Sequence, residues 1–280
     1  MYKHPYSTIE SYNDIDGMAI KKIAMNYSIY QAQGAGWVEQ ARANKPYVTK
    51  WVSELYSKKN KGVAVVVASG PSFFSRILDV VKEYPNATYF VVDRSCDAAL
   101  HYKIPMHYVV CQDSGKVVSE YIHHLPKNIT TILGIFSHED TVRKVVETEC
   151  EYYWSGPCNP FSPTAIAIND MYGSESATAM EGCLVTFSTV DIAVQMGFSK
   201  VIIVGNDMKY STLSEAFAGG KDIATELNDN TYSIETFNVA TQSFKSLPNM
   251  YPNVEFIDYS GHRIADGSIS KTRLDNWIQR

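Results

Sequence analysis

The sequence contains no long hydrophobic run, few cysteines and no excess of positive charge. None of its apolar runs approaches the ~20 residues that a helix needs to cross a bilayer, so no transmembrane helix is predicted. The amino end lacks the basic start and apolar centre of a secretory signal. The five cysteines are widely spaced and never form a CxxC pair, which argues against a disulfide framework and a structural zinc site. A cytoplasmic protein with reduced thiols is expected.

The shortage of positive charge limits the class of partner. The 280 residues include 25 Lys and Arg against 30 Asp and Glu, giving a formal net charge of −5. A protein that coats nucleic acid needs clustered basic side chains to meet the phosphates, so that class is disfavoured. An enzyme that modifies a nucleic-acid base through a local basic cleft remains open. Hydrophobic residues make up 45% of the chain, which is typical of a folded protein with a proper core.

Short Val- and Ile-rich runs alternate with amphipathic segments from residue 61 onward. Such runs indicate strands buried on both faces, and their alternation with helices implies a parallel sheet. The predicted strands are Gly62–Ser69, Ala87–Asp93, His107–Asp113, Thr130–Ser137, Ser199–Asp207 and Asn253–Ser260. The predicted helices are Ser72–Tyr84, Arg94–Tyr102, Glu139–Glu149 and Cys183–Gly197. The predicted fold is therefore α/β, a Rossmann-like doubly wound and mostly parallel sheet.

The chain is predicted to divide near residue 60. Residues 1–60 are expected to form an N-terminal helical preface or lid, because their second half has apolar residues near helical spacing and a Lys-rich end. Residues 61–280 are expected to form a Rossmann-like nucleotide-binding transferase domain. Two stretches, 155–182 and 209–233, interrupt the alternation with Pro, Gly and Ser and are predicted to be long loops over the cleft.

Polar or small residues follow each predicted strand. They are Ser69-Gly70, Asp93, Asp113, Ser137-His138, Asn206-Asp207 and Tyr259-Ser260. Because ligands of open parallel sheets bind beyond the carboxyl ends of the strands, these residues are expected to line one cleft. The alternative is that they cap the following helices. His138 and His262 are candidate general bases near neutral pH, with a capping or solvated role as the alternative.

The first of these strand ends, "ASGPS", has the chemistry of an anion site. Gly70 permits close approach or a positive φ, Pro71 suits the first turn of a helix, and Ser72 supplies a hydroxyl beside backbone N–H groups. A helix start attracts anions through those N–H groups and its dipole. The pattern is neither GxGxxG nor GxxxxGK[ST], so a dinucleotide fingerprint or P-loop is not supported. Taken alone, it is either a phosphate site or an ordinary strand-to-helix turn.

Five features, in order, resemble the MptE-like/motility accessory factor family, which includes archaeal 6-hydroxymethylpterin diphosphokinases and bacterial proteins that glycosylate flagellin with nonulosonic acids. They are "ASGPS", the acid Asp93, "IPMHYVVCQD", "MGFSKVIIVGND" and "SGHRIADG", and the likeness covers residues 62–270. A more remote likeness is to the family 42 bacterial sialyltransferases. The chain departs from the family pattern at Phe73, Met106-His107 and Gly261-His262, and it has one carboxylate, Asp113, where the kinases have "DLDG".

The resemblance implies a transferase that binds a nucleotide. The missing second carboxylate near Asp113 weakens the case for a diphosphokinase. Transfer from ATP normally needs a metal ion that bridges the phosphates, and carboxylates hold that ion. The leading hypothesis is a glycosyltransferase that passes a sugar from a UDP-, CMP- or GDP-linked donor to a hydroxyl acceptor. The alternatives are an MptE-like diphosphokinase using ATP and magnesium on a small alcohol, and a non-catalytic nucleotide-binding accessory protein. For the glycosyltransferase, magnesium is possible but not indicated, and Asp113 would hold it if the reaction needed a metal.

Within this hypothesis the candidate residues fall into two groups. The nucleotide-binding candidates are Ser69, Gly70, Pro71, Ser72, Asp93, Asn206, Lys209 and Tyr210, and the catalytic candidates are Asp207, Asp113 and His262. Asp93 would accept ribose hydroxyls, and Asp113 or Asp207 would position the acceptor hydroxyl or a cation. Lys209 or Arg263 would neutralise the leaving phosphate. The acceptor is expected to be a protein, a glycan, a small metabolite or a hydroxymethylated DNA base, so nucleic acid enters only as a substrate.

Overall fold

The computed structural model describes residues 34–57, 59–158, 162–180, 184–210, 225–226, 232–260 and 272–273. The helices are α1 (residues 34–44), α2 (Ser72–Glu83), α3 (Cys96–His101), α4 (Val118–Tyr121), α5 (Glu139–Thr148), α6 (Pro163–Tyr172), α7 (Val185–Gln195) and α8 (Glu235–Met250). The strands are β1 (Val63–Val67), β2 (Thr88–Val92), β3 (Tyr108–Cys111), β4 (Thr130–Gly134), β5 (Glu151–Pro157), β6 (Ala177–Ala179), β7 (Lys200–Val204), β8 (Thr225–Glu226), β9 (Tyr232–Ser233), β10 (Glu255–Asp258) and β11 (Thr272–Arg273).

Nine of these strands form one sheet, in the order β11-β10-β7-β1-β2-β3-β4-β5-β6, while β8 and β9 pair separately. The eight strands from β10 to β6 are parallel, and β11 joins β10 antiparallel. The chain builds the sheet outward from β1 to β6 and then returns to the other side of β1 with β7. The connection therefore reverses between β1 and β7, which is the switch point of a doubly wound sheet. The predicted fold class is confirmed.

The central strands are apolar throughout because each of their faces lies under helices. In β1, Val65 and Val67 pack into the core formed with α2, α3 and α5, whereas Ala64 and Val66 pack into the core formed with α7 and α8. Successive side chains of a strand point to opposite faces, so a strand between two helical layers needs an uninterrupted apolar run. This is the pattern that made the central strands predictable.

An N-terminal helix is present, as predicted, and it crosses the ends of β3 and β4. The buried Asn44 amide at the end of α1 donates to the carbonyl oxygens of Ile135 and Ser137, each at 2.9 Å. The Trp37 ring stacks on Phe136 with 5.3 Å between centroids. These contacts lie at the carboxyl end of β4, so α1 covers that part of the sheet edge. The predicted domain boundary at residue 60 stays a prediction.

The prediction of a long loop over residues 155–182 was wrong. That stretch contains the end of β5, all of α6 and the edge strand β6. Its Pro and Ser residues start a helix instead of breaking the chain: Pro163 is the first residue of α6, and the Ser162 hydroxyl accepts the N–H of Ala165 at 3.4 Å. Proline is favoured at this position because the N–H that it lacks has no helical partner there. The other predicted loop, 209–233, lies largely outside the described residues.

No helix in the described part of the chain is both long and apolar enough to span a bilayer.

Candidate functional site

The strand-end residues meet around the switch point. The Ser69–Ser72 turn follows β1, the Asn206–Tyr210 segment follows β7, and Asp93 and Asp113 follow β2 and β3. Because β7, β1, β2 and β3 are consecutive neighbours in the sheet, these segments share one edge. The predicted grouping of polar residues at the carboxyl ends of the strands therefore holds for these four strands. This edge is the candidate site.

A serine and an aspartate join the two sides of the switch point. The Ser72 hydroxyl and the Ser72 backbone N–H both donate to Oδ2 of Asp207, at 2.8 and 3.0 Å. The same hydroxyl oxygen accepts the N–H of Gly205 at 3.2 Å. Ser72 is completely buried. Its donors are thus used within the protein, and the carboxylate of Asp207 lies at the helix start where an anion was predicted.

Two glycines allow this close approach. The Gly70 N–H donates to the Gly205 carbonyl at 2.6 Å, and a Cβ at Gly70 would overlap Oδ2 of Asp207. Gly205 has a φ of +77°, and a Cβ there would overlap the carbonyl oxygen of Ala68. Glycine is the residue that tolerates both conditions. The β1–α2 turn and the β7 loop are therefore in backbone contact across the switch point.

A second serine fastens the β7 loop to β10. The Ser260 hydroxyl accepts the N–H of Asn206 at 2.6 Å, and the Ser260 N–H donates to Oδ1 of Asp258 at 2.7 Å. The pKa of Asp258 is raised to about 7, chiefly by burial and also by the charge of Asp207, against the opposing bonds from Ser260. Burial likewise raises the pKa of Asp207, against the two bonds from Ser72 and the positive charge of Lys209. One fully buried acid, Asp258, and one half-buried acid, Asp207, thus lie on this side of the site.

Asp93 and Asp113 occupy the other side of the site in different environments. Asp93 is 6% exposed, and its Oδ1 accepts the N–H of Arg94 at 2.6 Å. Asp113 is exposed, and its Oδ1 accepts the N–H of Gly115 at 2.8 Å. The pKa of Asp93 is raised to about 7, chiefly by burial and also by the charge of Asp113, against the N–H bond and the positive charge of Arg94. The two carboxylates therefore lie within electrostatic reach of each other.

Unpaired buried polar atoms concentrate at this edge. Among the described residues, five buried side-chain atoms have no hydrogen-bond partner: Gln40 Oε1, Asp93 Oδ2, Ser95 Oγ, Thr141 Oγ1 and Asn206 Nδ2. Asp93 and Ser95 follow β2, and Asn206 follows β7. Thr141 lies in the first turn of α5, which follows β4, and the Gln40 amide of α1 donates to the Ser114 carbonyl, which lies beyond β3. Buried polar groups in folded proteins are nearly always paired, so a group of exceptions at one edge indicates a place where a ligand binds.

Other predicted residues are less directly tied to this centre. Ser69 and Pro71 are exposed on the turn. Tyr210 pairs with the backbone of Tyr232 and stacks on Phe237, with 5.1 Å between ring centroids. His262 and Arg263 lie outside the described residues. His138 caps α5 by accepting the N–H of Asp140 at 3.1 Å, which is the capping alternative raised for it.

Sequence reasoning missed Asp258, Ser95 and Gly205 as members of the site. Asp258 is the last residue of β10, and its fully buried position is set by the neighbouring strands. A carboxylate that ends an apolar strand was an available signal for it. Ser95 lies inside the predicted helix Arg94–Tyr102 and Gly205 inside the predicted strand Ser199–Asp207, so neither was singled out as a site residue.

A model of the MptE-like family, described as "6-hydroxymethylpterin diphosphokinase MptE-like", matches residues 39–212, which is more than half of the chain. The chain belongs to this family. The resemblance seen in the sequence is thereby confirmed, whereas the remote likeness to family 42 sialyltransferases stays a prediction. Within the described ranges of this MptE-like chain, no three or more His, Cys, Asp or Glu residues come together as a metal site.

The MptE-like chain also shares its fold with the MAf glycosyltransferase from Magnetospirillum magneticum AMB-1. The two have 16% sequence identity and a TM-score of 0.55, and the match covers 71% of this chain and 32% of the other. The chain thus spans about a third of that protein's length. At this identity the likeness shows the fold alone. No curated protein matches the chain.

The contact between Ser72 and Asp207 can be tested by a double-mutant cycle in the MptE-like chain. Ser72→Ala and Asp207→Ala are each expected to lower the free energy of unfolding by about 1–3 kcal/mol. Asp207→Ala leaves the buried Ser72 hydroxyl and N–H without their acceptor. Ser72→Ala removes the hydroxyl bond to Asp207 and leaves the buried Gly205 N–H unpaired, while the backbone N–H of residue 72 can still donate to Asp207. The double variant should lose less than the sum, by about 1 kcal/mol or more, in urea unfolding. Ser72→Ala combined with Tyr251→Phe, which removes a hydroxyl bonded to Asp191, is the control and should be additive. Additivity in both pairs would contradict the contact.

Proposed function

We propose that this MptE-like chain is a nucleotide-sugar-dependent glycosyltransferase that passes a sugar to a hydroxyl acceptor. The observation that carries the proposal is the group of unpaired buried polar atoms at the carboxyl ends of β2 and β7, on both sides of β1. Open α/β sheets bind their ligands beyond the strand ends at the switch point. The fold shared with a protein named as a glycosyltransferase is consistent with this choice.

The nucleotide is proposed to lie across the switch point. Asp93 offers Oδ2 as an acceptor for ribose hydroxyls, and Asn206 offers Nδ2 as a donor to a phosphate or base oxygen. The phosphates would lie on the exposed side of the β1–α2 turn, beside the Asp207 carboxylate that already occupies the start of α2, with Lys209 supplying the positive charge. Ser69 and Pro71 form the exposed surface of that turn, and Tyr210 follows Lys209. Gly70 and Ser72 would shape the turn through their contacts with Gly205 and Asp207.

The transfer would rest on orientation and on stabilising the leaving group. The acceptor oxygen attacks the anomeric carbon of the donor, and the bond from that carbon to the phosphate oxygen breaks. The bonding electrons leave with the nucleotide, whose negative charge Lys209 would stabilise. Asp113 is the proposed acceptor of the hydroxyl proton, since it is exposed at the site and one carboxylate oxygen remains outside its bond to Gly115. His262 is a second proposed base.

The family description favours a second candidate, a diphosphokinase that uses ATP and magnesium on a small alcohol. The same crevice would hold ATP, and Asp113 would be the carboxylate ligand for magnesium, which would supply positive charge to offset that of the phosphates. The third reading, a nucleotide-binding accessory protein, predicts binding without transfer. The acceptor class stays as proposed from the sequence, and a cytoplasmic location stays a prediction.

Calorimetric titration with UDP, CMP, GDP and ATP, with and without magnesium, tests the proposal. One of the first three is expected to bind without magnesium, and Asp93→Ala should weaken that binding at least roughly 10-fold by removing a hydrogen-bond acceptor. Asp97→Ala, at an exposed acid on α3, is the matched control and should leave the affinity unchanged.

Other outcomes separate the candidates. Binding of ATP only, and only with magnesium, would favour the diphosphokinase. Binding of a nucleotide without release of that nucleotide from any of its sugar derivatives would favour the accessory protein. Absence of binding by all four nucleotides would contradict the proposed function.

A further inference from the structure

The turn that follows β2 contains two of the unpaired polar atoms. This 3₁₀ turn spans Asp93–Ser95 and connects β2 directly to α3. Oδ2 of Asp93 and Oγ of Ser95 are both buried without a partner, and the two residues are 6% and 2% exposed. The turn therefore carries a carboxylate oxygen and a hydroxyl, two residues apart, that no described side chain or backbone group satisfies.

The contacts of the turn indicate that neither group serves the fold. The one bond that Asp93 forms in the turn uses Oδ1, which accepts the N–H of Arg94. The Arg94 guanidinium lies over the Tyr121 ring, 6.0 Å from its centroid. Ser95 precedes α3, but its side chain makes no capping bond. Unpaired buried groups of this kind destabilise a fold, so their presence is best explained by a ligand that completes them.

The chemistry of the two groups selects the kind of ligand. A carboxylate oxygen accepts a hydrogen bond, while a serine hydroxyl either donates or accepts one. A metal ion would need further ligands, and the described residues bring no three metal-binding side chains together. Two neighbouring hydroxyls of a ligand satisfy both groups, because one can donate to the carboxylate and the other can pair with the serine. The ribose of a nucleotide carries such a pair.

We propose that Asp93 and Ser95 together bind the 2′- and 3′-hydroxyls of the nucleotide, so that the protein selects ribonucleotides over deoxyribonucleotides. This inference rests on the proposed function and adds Ser95 and sugar selectivity to it. The positions of the two proposed contacts match the order of groups in a nucleotide, where the ribose is joined directly to the phosphates. The ribose contact follows β2, the phosphates are proposed beside the turn that follows β1, and β1 and β2 are neighbours in the sheet. A site built to hydrogen-bond a hydroxyl discriminates strongly against a ligand that lacks it, because its own groups are then left unpaired.

The test compares matched nucleotides by calorimetric titration of the full chain. The nucleotide that binds best among UDP, CMP, GDP and ATP is titrated beside its 2′-deoxy and 3′-deoxy forms. Each deoxy form is expected to bind roughly 10- to 100-fold more weakly than the ribonucleotide. In Asp93→Asn and in Ser95→Ala the affinity for the ribonucleotide should fall towards the affinity for the deoxy forms. The ratio of the two affinities should therefore be smaller than in the wild type. Asp97→Asn, on the exposed side of α3, should keep the wild-type discrimination.

The results separate this inference from the proposed function. Equal binding of ribo and deoxy forms to the wild type would overturn the inference and leave nucleotide binding intact. A preference for the ribonucleotide that appears only with magnesium would also overturn the inference, because Asp93 would then bind the metal ion and not a ribose hydroxyl. Absence of binding by any nucleotide would instead remove the proposed function. If Asp93→Asn does not fold, Ser95→Ala and the wild-type comparison still decide the question.

Discussion

Gly205→Ala is expected to lower the free energy of unfolding by about 3 kcal/mol or more and to abolish the nucleotide binding proposed above. Gly205 has a φ of +77°, which costs an alanine about 1 kcal/mol. The added Cβ would also overlap the Ala68 carbonyl and lie 3.3 Å from Cβ of Phe73. The overlapped atom is backbone, so the β7 loop would have to move away from β1, at a cost of about 1–3 kcal/mol. That movement would break the Gly70–Gly205 and Ser72–Gly205 bonds that close the switch point.

Gly62→Ala is the matched control for this prediction. Gly62 has nearly the same φ, +84°, but a Cβ there would meet no atom within 4 Å. It should therefore show the cost of the backbone conformation alone, about 1 kcal/mol, with nucleotide binding retained. Urea unfolding of both variants measures the difference between them. Equal losses of stability in the two variants would contradict the prediction, because the close backbone contact between Gly205 and Ala68 would then add nothing to the cost of the positive φ.

Asp258→Asn is expected to change the free energy of unfolding by about 3 kcal/mol more favourably at pH 8 than at pH 5. The folded-state pKa of Asp258 is about 7 against an ordinary value of 3.8, because the residue is fully buried. At pH values between 3.8 and about 7, the Asp258 carboxyl is mostly protonated in the folded protein and mostly ionised in the unfolded chain. The free energy of unfolding therefore falls as pH rises from about 4 to about 7 and is level above that window. Each unit of pKa shift corresponds to about 1.4 kcal/mol.

The asparagine cannot ionise, so it removes this pH dependence while its Oδ1 can still accept the Ser260 N–H. Its extra N–H groups need partners in a buried place, which costs about 1–3 kcal/mol at every pH. The difference between the two pH values is therefore the quantity to measure, by urea unfolding of both proteins at pH 5 and pH 8. Asp79→Asn, at an exposed acid on α2, is the control. A pH-independent effect of Asp258→Asn would contradict the buried, raised-pKa carboxyl.

Much of the fold could be predicted from the local pattern of the chain. The strands with continuous Val and Ile, such as β1 and β7, were visible because burial on both faces requires an apolar residue at every position. The edge strand β6 and the partly polar β5 were missed, since neither has such a run. Helix α6 was missed because its Pro163 was interpreted as a break, whereas at the first helical position proline is favoured.

The sequence by itself determined the doubly wound class and the rule that polar residues follow each central strand, because both depend on burial along a few consecutive residues. Only the tertiary structure decided which of those residues pair with one another. Ser72 and Asp207 are 135 residues apart, and parallel strands bring them together only after the chain has crossed the sheet. The same packing leaves Asp93 Oδ2, Ser95 Oγ and Asn206 Nδ2 without partners. A hydrogen bond depends on atoms meeting in space, and this meeting follows from the order of strands in the sheet.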